Sequence, residues 1–456
     1  MTDADLAGFL AAVEGDPRLE PHSLLVLHRG EPVHEAYWRP WSATDRQLVY
    51  SVSKTLTGSA IGIMIGEGRL ELGSRLCDLV GAGEVGPRMA EVTVHHLLSM
   101  STGHDPAQVD GLDLHATPDP LAAFLRLEPA GEVGSAHAYS NPASWVLGEL
   151  VRRLTGESLL GYLGPRLLAP LDLDPTWDVD RRGRELGYSG VHLTTRELAR
   201  LGEVYRCGGR WRGRRLIPSD FVARASSRQV ATTHEFPEWR YGYGYQVWLN
   251  REGFRLDGAF GQYALVLPER ELVIALTSAQ AAGSQPLLDA VFTHLVGDDR
   301  GMADRGDGTG GVPRPLERAV RPLPDDGQGS AWQFAGTVPL EAGLAPDVAE
   351  PAAPRLADVS LVRSGTGWEL ALSADGDHQH WRVPRAGEWF RTELRTGNRS
   401  VPVALSVGAV HGVARVLVSL TDSPHTFVLE IREATAGAAW RTVPLHAPRM
   451  ADLVAR

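Results

Sequence analysis

The stretch "TLTGSAIGIMIGEGRLEL" constrains the fold more than any other part of the chain. Its helical pattern is apolar on almost every visible face, and Gly58, Gly62 and Gly66 recur every four residues. Such a helix has no face to give to water. It therefore predicts a central helix whose neighbours approach closely over the small residues, at some cost in helix propensity. Its surroundings can be read from the flanking patterns. Residues 23 to 38, "SLLVLHRGEPVHEAYW", read as two strands joined at Arg29-Gly30. Helical patterns follow around 93 to 100, 142 to 156 and 195 to 206, whereas 241 to 249, 254 to 257 and 263 to 277 alternate or run apolar like strands. Strands at both ends with helices between predict one mixed α/β domain over residues 1–297.

Beyond that point the pattern changes. Residues 298–330 are dense in Gly, Pro and charge and read as a linker. From 331 the period becomes two: Trp368, Leu370 and Leu372 alternate with Glu369 and Ala371, and Phe427, Leu429 and Ile431 share one parity. Residues 331–456 are thus expected to form a small antiparallel barrel or sandwich. A chain of 456 residues exceeds what one core usually organises, which agrees with at least two domains.

A net charge of −11, without basic runs, argues against nucleic acid or an anionic membrane surface as partner. The acidic N-terminus lacks the pattern of a signal peptide and no long uncharged apolar span follows, so a cytoplasmic protein is expected. Cys77 and Cys207 cannot build a disulfide framework and read as isolated small core residues.

The buried helix pattern carries an oddity at its start, "VYSVSKTLTG": of the 45 lysines and arginines in the chain, Lys54 alone is lysine. Ser51 stands three residues before it, so one helical turn puts the amine beside the hydroxyl. A serine hydroxyl needs a base to become a nucleophile. Lysine can serve where burial lowers its pKa, and a helix N-terminus would depress it further; arginine stays charged and cannot serve. Other chemical readings are weaker. His95-His96 with nearby His104 invite a metal reading, but no metal or cofactor is expected. His378 and His380, in "DGDHQH", read as a solvated turn. No G-x-S-x-G or H-E-x-x-H motif competes.

The segments "YSVSKTLTGSAIGIMIGEGRLEL", "VTVHHLLSMSTGH", "YSNPASWVLGELVRRLTGESLLGYL" and "DGAFGQYALVLPERELVIALTS" resemble, in order and spacing, the serine β-lactamase and penicillin-binding-protein superfamily. They are most similar to its class C-like esterases and amidases, including family VIII esterases and nylon-oligomer hydrolases. The resemblance covers roughly residues 22 to 295. It implies an antiparallel sheet flanked by helices plus a helical subdomain. It also implies Ser51 as nucleophile, Lys54 as general base, Tyr139 as a proton shuttle of lowered pKa, and Asn141 orienting lysine and substrate. Read without the resemblance, Tyr139 is a loop aromatic and Asn141 a helix cap before Pro142. In "RLDGAFGQ", the N–H of Ala259 with that of Ser51 would form an oxyanion hole, with Gly258, Gly261 and Gln262 close to substrate; the same glycines also fit a plain hairpin turn. Asp257 stands where antibiotic-hydrolysing relatives have a carboxylate-attracting lysine, and would repel a carboxylate unless Arg255, on the same strand face, compensates. Tyr243 and Trp248 are expected either as strand packing or as the wall of an acyl pocket. The resemblance implies a serine hydrolase acting on a small-molecule or peptide ester or amide. Acyl transfer to an amine or alcohol, or ligand binding without catalysis, are the other readings.

Overall fold

The computed structural model describes residues 2–297, 314–327, 331–338, 340–341, 356–374, 376–397, 399–432 and 435–445. A seven-stranded sheet organises the first part. Its strands are β1 (Pro21–His28), β2 (Glu31–Arg39), β3 (Trp248–Leu249), β4 (Phe254–Gly258), β5 (Gln262–Leu267), β6 (Leu272–Ser278) and β7 (Leu316–Ala319), in the order β7-β2-β1-β6-β5-β4-β3. Neighbours are antiparallel except β7, which joins β2 in parallel. Arg29 and Gly30 both take positive φ, +53° and +81°, the backbone that a two-residue hairpin loop requires between twisted strands.

Both faces of the sheet are covered, as the period of two demands. Leu24 and Val26 point to one side, onto Phe9 and Val13 of helix α1 (Asp3–Gly15) and Leu287 and Leu288 near the end of the sheet-forming part. Leu25 and Leu27 point to the other, into the cluster that holds α2 (Val52–Gly66), α3 (Asn141–Thr155) and α4 (Thr195–Arg206). Each fully buried side chain of this kind contributes about 1.5–3 kcal/mol.

Helix α2 is the predicted central helix, with every residue from Val52 to Met64 buried. The glycine stripe has a steric cause: a Cβ at Gly62 would lie 2.5 Å from Phe221 Cδ1, and one at Gly66 2.6 Å from Pro218 Cγ. Polar residues on the helix are absorbed locally, Thr55 donating to Gln246 O and Thr57 to Gly187 O.

The described residues from 331 onward form two sheets around one apolar core containing Trp332, Trp368, Leu370, Phe427 and Leu429. The smaller sheet orders β8 (Ala331–Val338), β10 (Leu356–Ser364), β11 (Gly367–Ala374) and β12 (Asp377–Val383). The larger has β9 (Leu340–Glu341), β13 (Trp389–Thr396), β14 (Arg399–Val410), β15 (Val413–Leu420), β16 (Thr426–Arg432) and β17 (Thr435–Trp440), in the order β9-β17-β16-β15-β14-β13. The mixed α/β class with an all-β C-terminal part is therefore as expected.

Four local expectations change. Residues 241 to 249 are strand only at Trp248–Leu249: Gly242 (φ +112°) and Gln246 (φ +59°) bend the backbone, and a Cβ at Gly244 would strike Ala225 O. Of the segment 298–330, residues 298–313 and 328–330 lie outside the described residues. The remainder is more than a spacer, because β7 extends the sheet while Leu323 and Asp326 bond to Ser406 and Ala409 of the β-rich part. His378 and His380 occupy β12 rather than a turn, exposed on alternate positions. Cys77 and Cys207 are half-buried free thiols, not core residues. No helix among the described residues is long and apolar enough to cross a membrane.

Candidate active site

Ser51 occupies the N-cap of α2, half-buried, directly after Tyr50, whose φ of +46° is left-handed. Such a backbone costs a non-glycine residue about 1–3 kcal/mol and persists only where its surroundings hold it. One turn on, Lys54 Nζ lies 2.9 Å from Ser51 Oγ and donates to the carbonyl oxygen of Tyr188 at 2.8 Å. The lysine is 1% exposed. Burial takes its pKa from 10.5 to about 7, against the opposing pull of Asp257.

Tyr139 enters from the loop before α3, which Met100 pins through its carbonyl to Ala138 N (2.9 Å) and its sulfur to Ser140 N (3.4 Å). Lys54 Nζ lies 4.8 Å from the centre of its ring, and Ser51 is near enough to the phenol to oppose a rise in its pKa. Its pKa is not lowered as expected. Burial pushes it well above the ordinary tyrosine value, Asp257 adds to the rise, and the neighbouring Ser51 offsets only part. The phenol therefore holds its proton at neutral pH, and the amine is the group able to accept one.

Asn141 is the first residue of α3 and half-buried; Ser140, not Asn141, caps the helix, accepting from Ala143 N at 3.0 Å. Among the described residues the Asn141 side chain makes no hydrogen bond, and Lys54 is oriented instead by Tyr188 O.

The turn from β4 to β5 runs through Gly258, Ala259, Phe260 (φ +63°) and Gly261 (φ +83°). Both glycines are sterically required. A Cβ at Gly258 would lie 2.2 Å from Val49 O, and one at Gly261 2.3 Å from Ser278 Oγ. They shape a hairpin, and the same close approach sets it against the backbone that leads into Ser51. The Phe260 and Tyr50 ring centres are 5.3 Å apart. Among the described residues, no hydrogen bond takes up the N–H of Ser51 or of Ala259. Gln262 does not face the cleft: it is wholly buried, and its amide donates to Ser278 O at 2.6 Å, bracing the turn.

Arg255 does compensate Asp257. Its Nε donates to Asp257 Oδ2 at 2.6 Å; Nη1 donates to Glu238 O at 3.0 Å and to Asn250 Oδ1. The guanidinium is fully buried 4.4 Å from the Trp239 ring centre, whereas the Asp257 side chain keeps 13% exposure. Burial raises the Asp257 pKa, with Arg255 and then Lys54 opposing. Trp248 stacks on Tyr139 (5.9 Å between ring centres, 18° between planes), and Tyr243 packs edge-on against both from a buried position.

The histidines considered for a metal are otherwise engaged. His95 meets Tyr245 OH at 2.8 Å, His96 takes part in the cap of its own short helix with Thr93, and His104 lies between Thr102 and Leu127 O. Sequence reasoning missed Tyr188, which acts through a carbonyl that any residue would supply. It also missed His137, between Tyr243 and Trp248 at 5.0 and 5.3 Å, which its place two residues before Tyr139 would have flagged.

The chain is 31% identical over 248 residues to the 6-aminohexanoate-dimer hydrolase of Paenarthrobacter ureafaciens, covering 48% of this chain and 62% of that protein, under two thirds of its length. Among solved structures, EstCE1, described as a hydrolase with promiscuous acyltransferase activity, superposes with a TM-score of 0.53 at 17% identity over 63% of this chain and 98% of its own. The octameric penicillin-binding-protein homologue of Pyrococcus abyssi matches over 92% of this chain and 98% of its own, with a TM-score of 0.52 at 16% identity. It thus shares the fold across nearly the whole length. The Beta-lactamase family profile matches residues 14–297, the part that carries Ser51, Lys54, Tyr139 and the Gly258 turn, and the chain belongs to that family.

Proposed function

We propose that the protein is a serine hydrolase that cleaves an ester or amide through an acyl-enzyme on Ser51. The observation that carries this reading is the 2.9 Å contact between Ser51 Oγ and a buried amine whose pKa lies at about 7. Lys54 takes the hydroxyl proton as Oγ bonds to the substrate carbonyl carbon, and the N–H groups of Ser51 and Ala259 receive the negative oxygen. The protonated Tyr139 gives its proton to the leaving oxygen or nitrogen as that bond breaks and regains one from the Lys54 ammonium. Water then attacks the acyl carbon, its proton returns along the same groups, and Ser51 is released. Asn141 is assigned no step. Family membership and a relative named as a hydrolase support this class of activity.

Asp257 shapes the choice of substrate. Paired with Arg255 it offers no free positive charge to a substrate carboxylate, so neutral esters and amides, or ones bearing an amine, suit the site better than β-lactam antibiotics. The aromatic wall of Trp248 would hold an apolar acyl or leaving group beside Tyr139. Transfer of the acyl group to an amine or alcohol uses the same residues. The EstCE1 description favours keeping that second reading.

Purified protein and Ser51→Ala should be compared on p-nitrophenyl esters, nitrocefin and D-amino-acid amides, with and without added amines, and by fluorophosphonate labelling. The proposal expects turnover and labelling to disappear together in Ser51→Ala. Hydrolysis that persists in the variant would overturn it, and amide products at high amine concentration would favour transfer.

A further inference from the structure

The β-rich C-terminal part reaches the nucleophile through one side chain. His425 lies in the turn that opens β16, and its Nε2 is 2.6 Å from the hydroxyl of Tyr50, the residue before Ser51. Its Nδ1 is 3.0 Å from Thr442 O. A carbonyl only accepts, so Nδ1 carries the proton and Nε2 is left to accept from the phenol. Two further contacts bracket this one. Leu48 N donates to Asp422 O at 2.8 Å, fixing the strand that delivers Ser51. The His425 ring also stands edge-on to Phe260, 5.5 Å between centres, in the turn that carries Ala259. One buried imidazole therefore touches both a residue adjoining Ser51 and a residue adjoining Ala259.

The geometry points to His425 as a positioning residue of the catalytic centre. Through Tyr50 it holds the left-handed backbone that presents Ser51, and through Phe260 it holds the turn whose Ala259 N–H is the second oxyanion donor of the proposed mechanism. Tyr50 at φ +46° needs such restraint, because a phenol freed from its acceptor would let the backbone relax to a commoner conformation. Burial keeps the phenol and the imidazole neutral, the imidazole pKa falling to about 4, so the link is an uncharged hydrogen bond throughout the neutral range. Movement of the nucleophile and the oxyanion donors by a fraction of an ångström affects the transition state more than ground-state binding.

The inference rests on Ser51 being the nucleophile, and the test separates the two. In the full-length protein, His425→Phe keeps a ring but removes the acceptor, Tyr50→Phe removes the hydroxyl alone, and His425→Gln restores an acceptor. Each is compared with the parent and Ser51→Ala for kcat and KM on a p-nitrophenyl ester, for the rate of fluorophosphonate labelling, and for thermal unfolding. His425→Phe should lower kcat and the labelling rate about tenfold, the rate equivalent of one lost hydrogen bond, with KM within about twofold. Tyr50→Phe should do likewise, the double variant should be no worse than either single one, and His425→Gln should recover part of the loss. Should His425→Phe not fold, the comparison of Tyr50→Phe with the parent carries the test. Unchanged kcat and labelling in Tyr50→Phe, with Ser51→Ala inactive, would overturn the positioning role and leave the hydrolase. Turnover surviving in Ser51→Ala would overturn both.

Discussion

At the scale of single residues, the proposed base must be able to lose a proton, which lysine can do and arginine cannot, and the surroundings of Lys54 set when it does so. Burial brings Lys54 to about 7, so the fraction of neutral amine rises with pH through that value, and kcat/KM should rise with it and level off above. Tyr139 does not impose a falling limb in the neutral range, because burial keeps its proton on. Asp257 raises the lysine pKa, so Asp257→Asn should move the rising limb to lower pH. The same change leaves the buried Arg255 without its carboxylate, and a stability loss of about 3–5 kcal/mol is expected from an uncompensated buried charge. A pH–rate profile beside a denaturant titration checks both, and a limb that stays in place would mean that Asp257 does not act on the base. The Ser51–Lys54 pair was legible because residues three apart on a helix are neighbours by geometry alone, and the Arg255–Asp257 pair because residues two apart on a strand share a face. Tyr188 was not legible, since a backbone carbonyl leaves no trace in residue type. The direction of the Tyr139 shift was misjudged because the depth of burial of one loop side chain depends on packing that the pattern does not encode.

At the scale of elements, the glycines of α2 were readable as a stripe, and the structure gives each its neighbour. Gly62→Ala gains about 1 kcal/mol in helix propensity, but overpacking a buried site costs about 1–3 kcal/mol. The Phe221 ring that a new methyl would strike is itself locked in the core, so the net effect should be a loss of stability. Gly15 makes the contrast: it ends α1 with nothing within 4 Å of a built Cβ, and Gly15→Ala should gain about 0.4–1 kcal/mol by restricting the unfolded chain. Urea unfolding of both variants tests the argument, and equal shifts of the same sign would contradict it. Where sequence reading failed for an element, 241 to 249, the apolar and aromatic pattern was real but served close packing. "RYGYGYQVW" alternates like a strand, yet its glycines bring the backbone against Ala225 and Arg228, and only its last residue, Trp248, enters the sheet. Alternation records which residues are buried, and a kinked segment can bury the same ones.

At the scale of the whole molecule, the separation of the β-rich part from the rest was foreseeable from the change of period near residue 331, but the polar links between them were not, because each joins residues hundreds of positions apart. Arg391 forms a bidentate pair with Asp45, at 2.5 and 2.9 Å, and Arg441 Nη2 lies 2.8 Å from Glu20 Oε2. The second link is the more telling, because Glu20 is buried beside His22 while Arg441 is partly exposed. Burial alone would raise the Glu20 pKa; His22 and Arg441 outweigh it and hold the carboxyl below its usual value. A carboxylate with a depressed folded-state pKa contributes stability that is present above the unfolded value of about 4.3 and lost as pH falls through the folded value. Arg441→Ala should therefore lower the unfolding temperature at pH 7, by the equivalent of about 1–3 kcal/mol for a buried acceptor left short of a partner. The deficit should shrink towards zero as the pH is lowered below the carboxylate range, where Glu20 is protonated in parent and variant alike. Glu20→Gln in the Arg441→Ala background should recover part of the loss at pH 7, because the amide brings no buried charge. A deficit that is the same at pH 7 and in acid, or that Glu20→Gln leaves untouched, would assign the effect of Arg441 to side-chain packing and not to the charge it shares with Glu20.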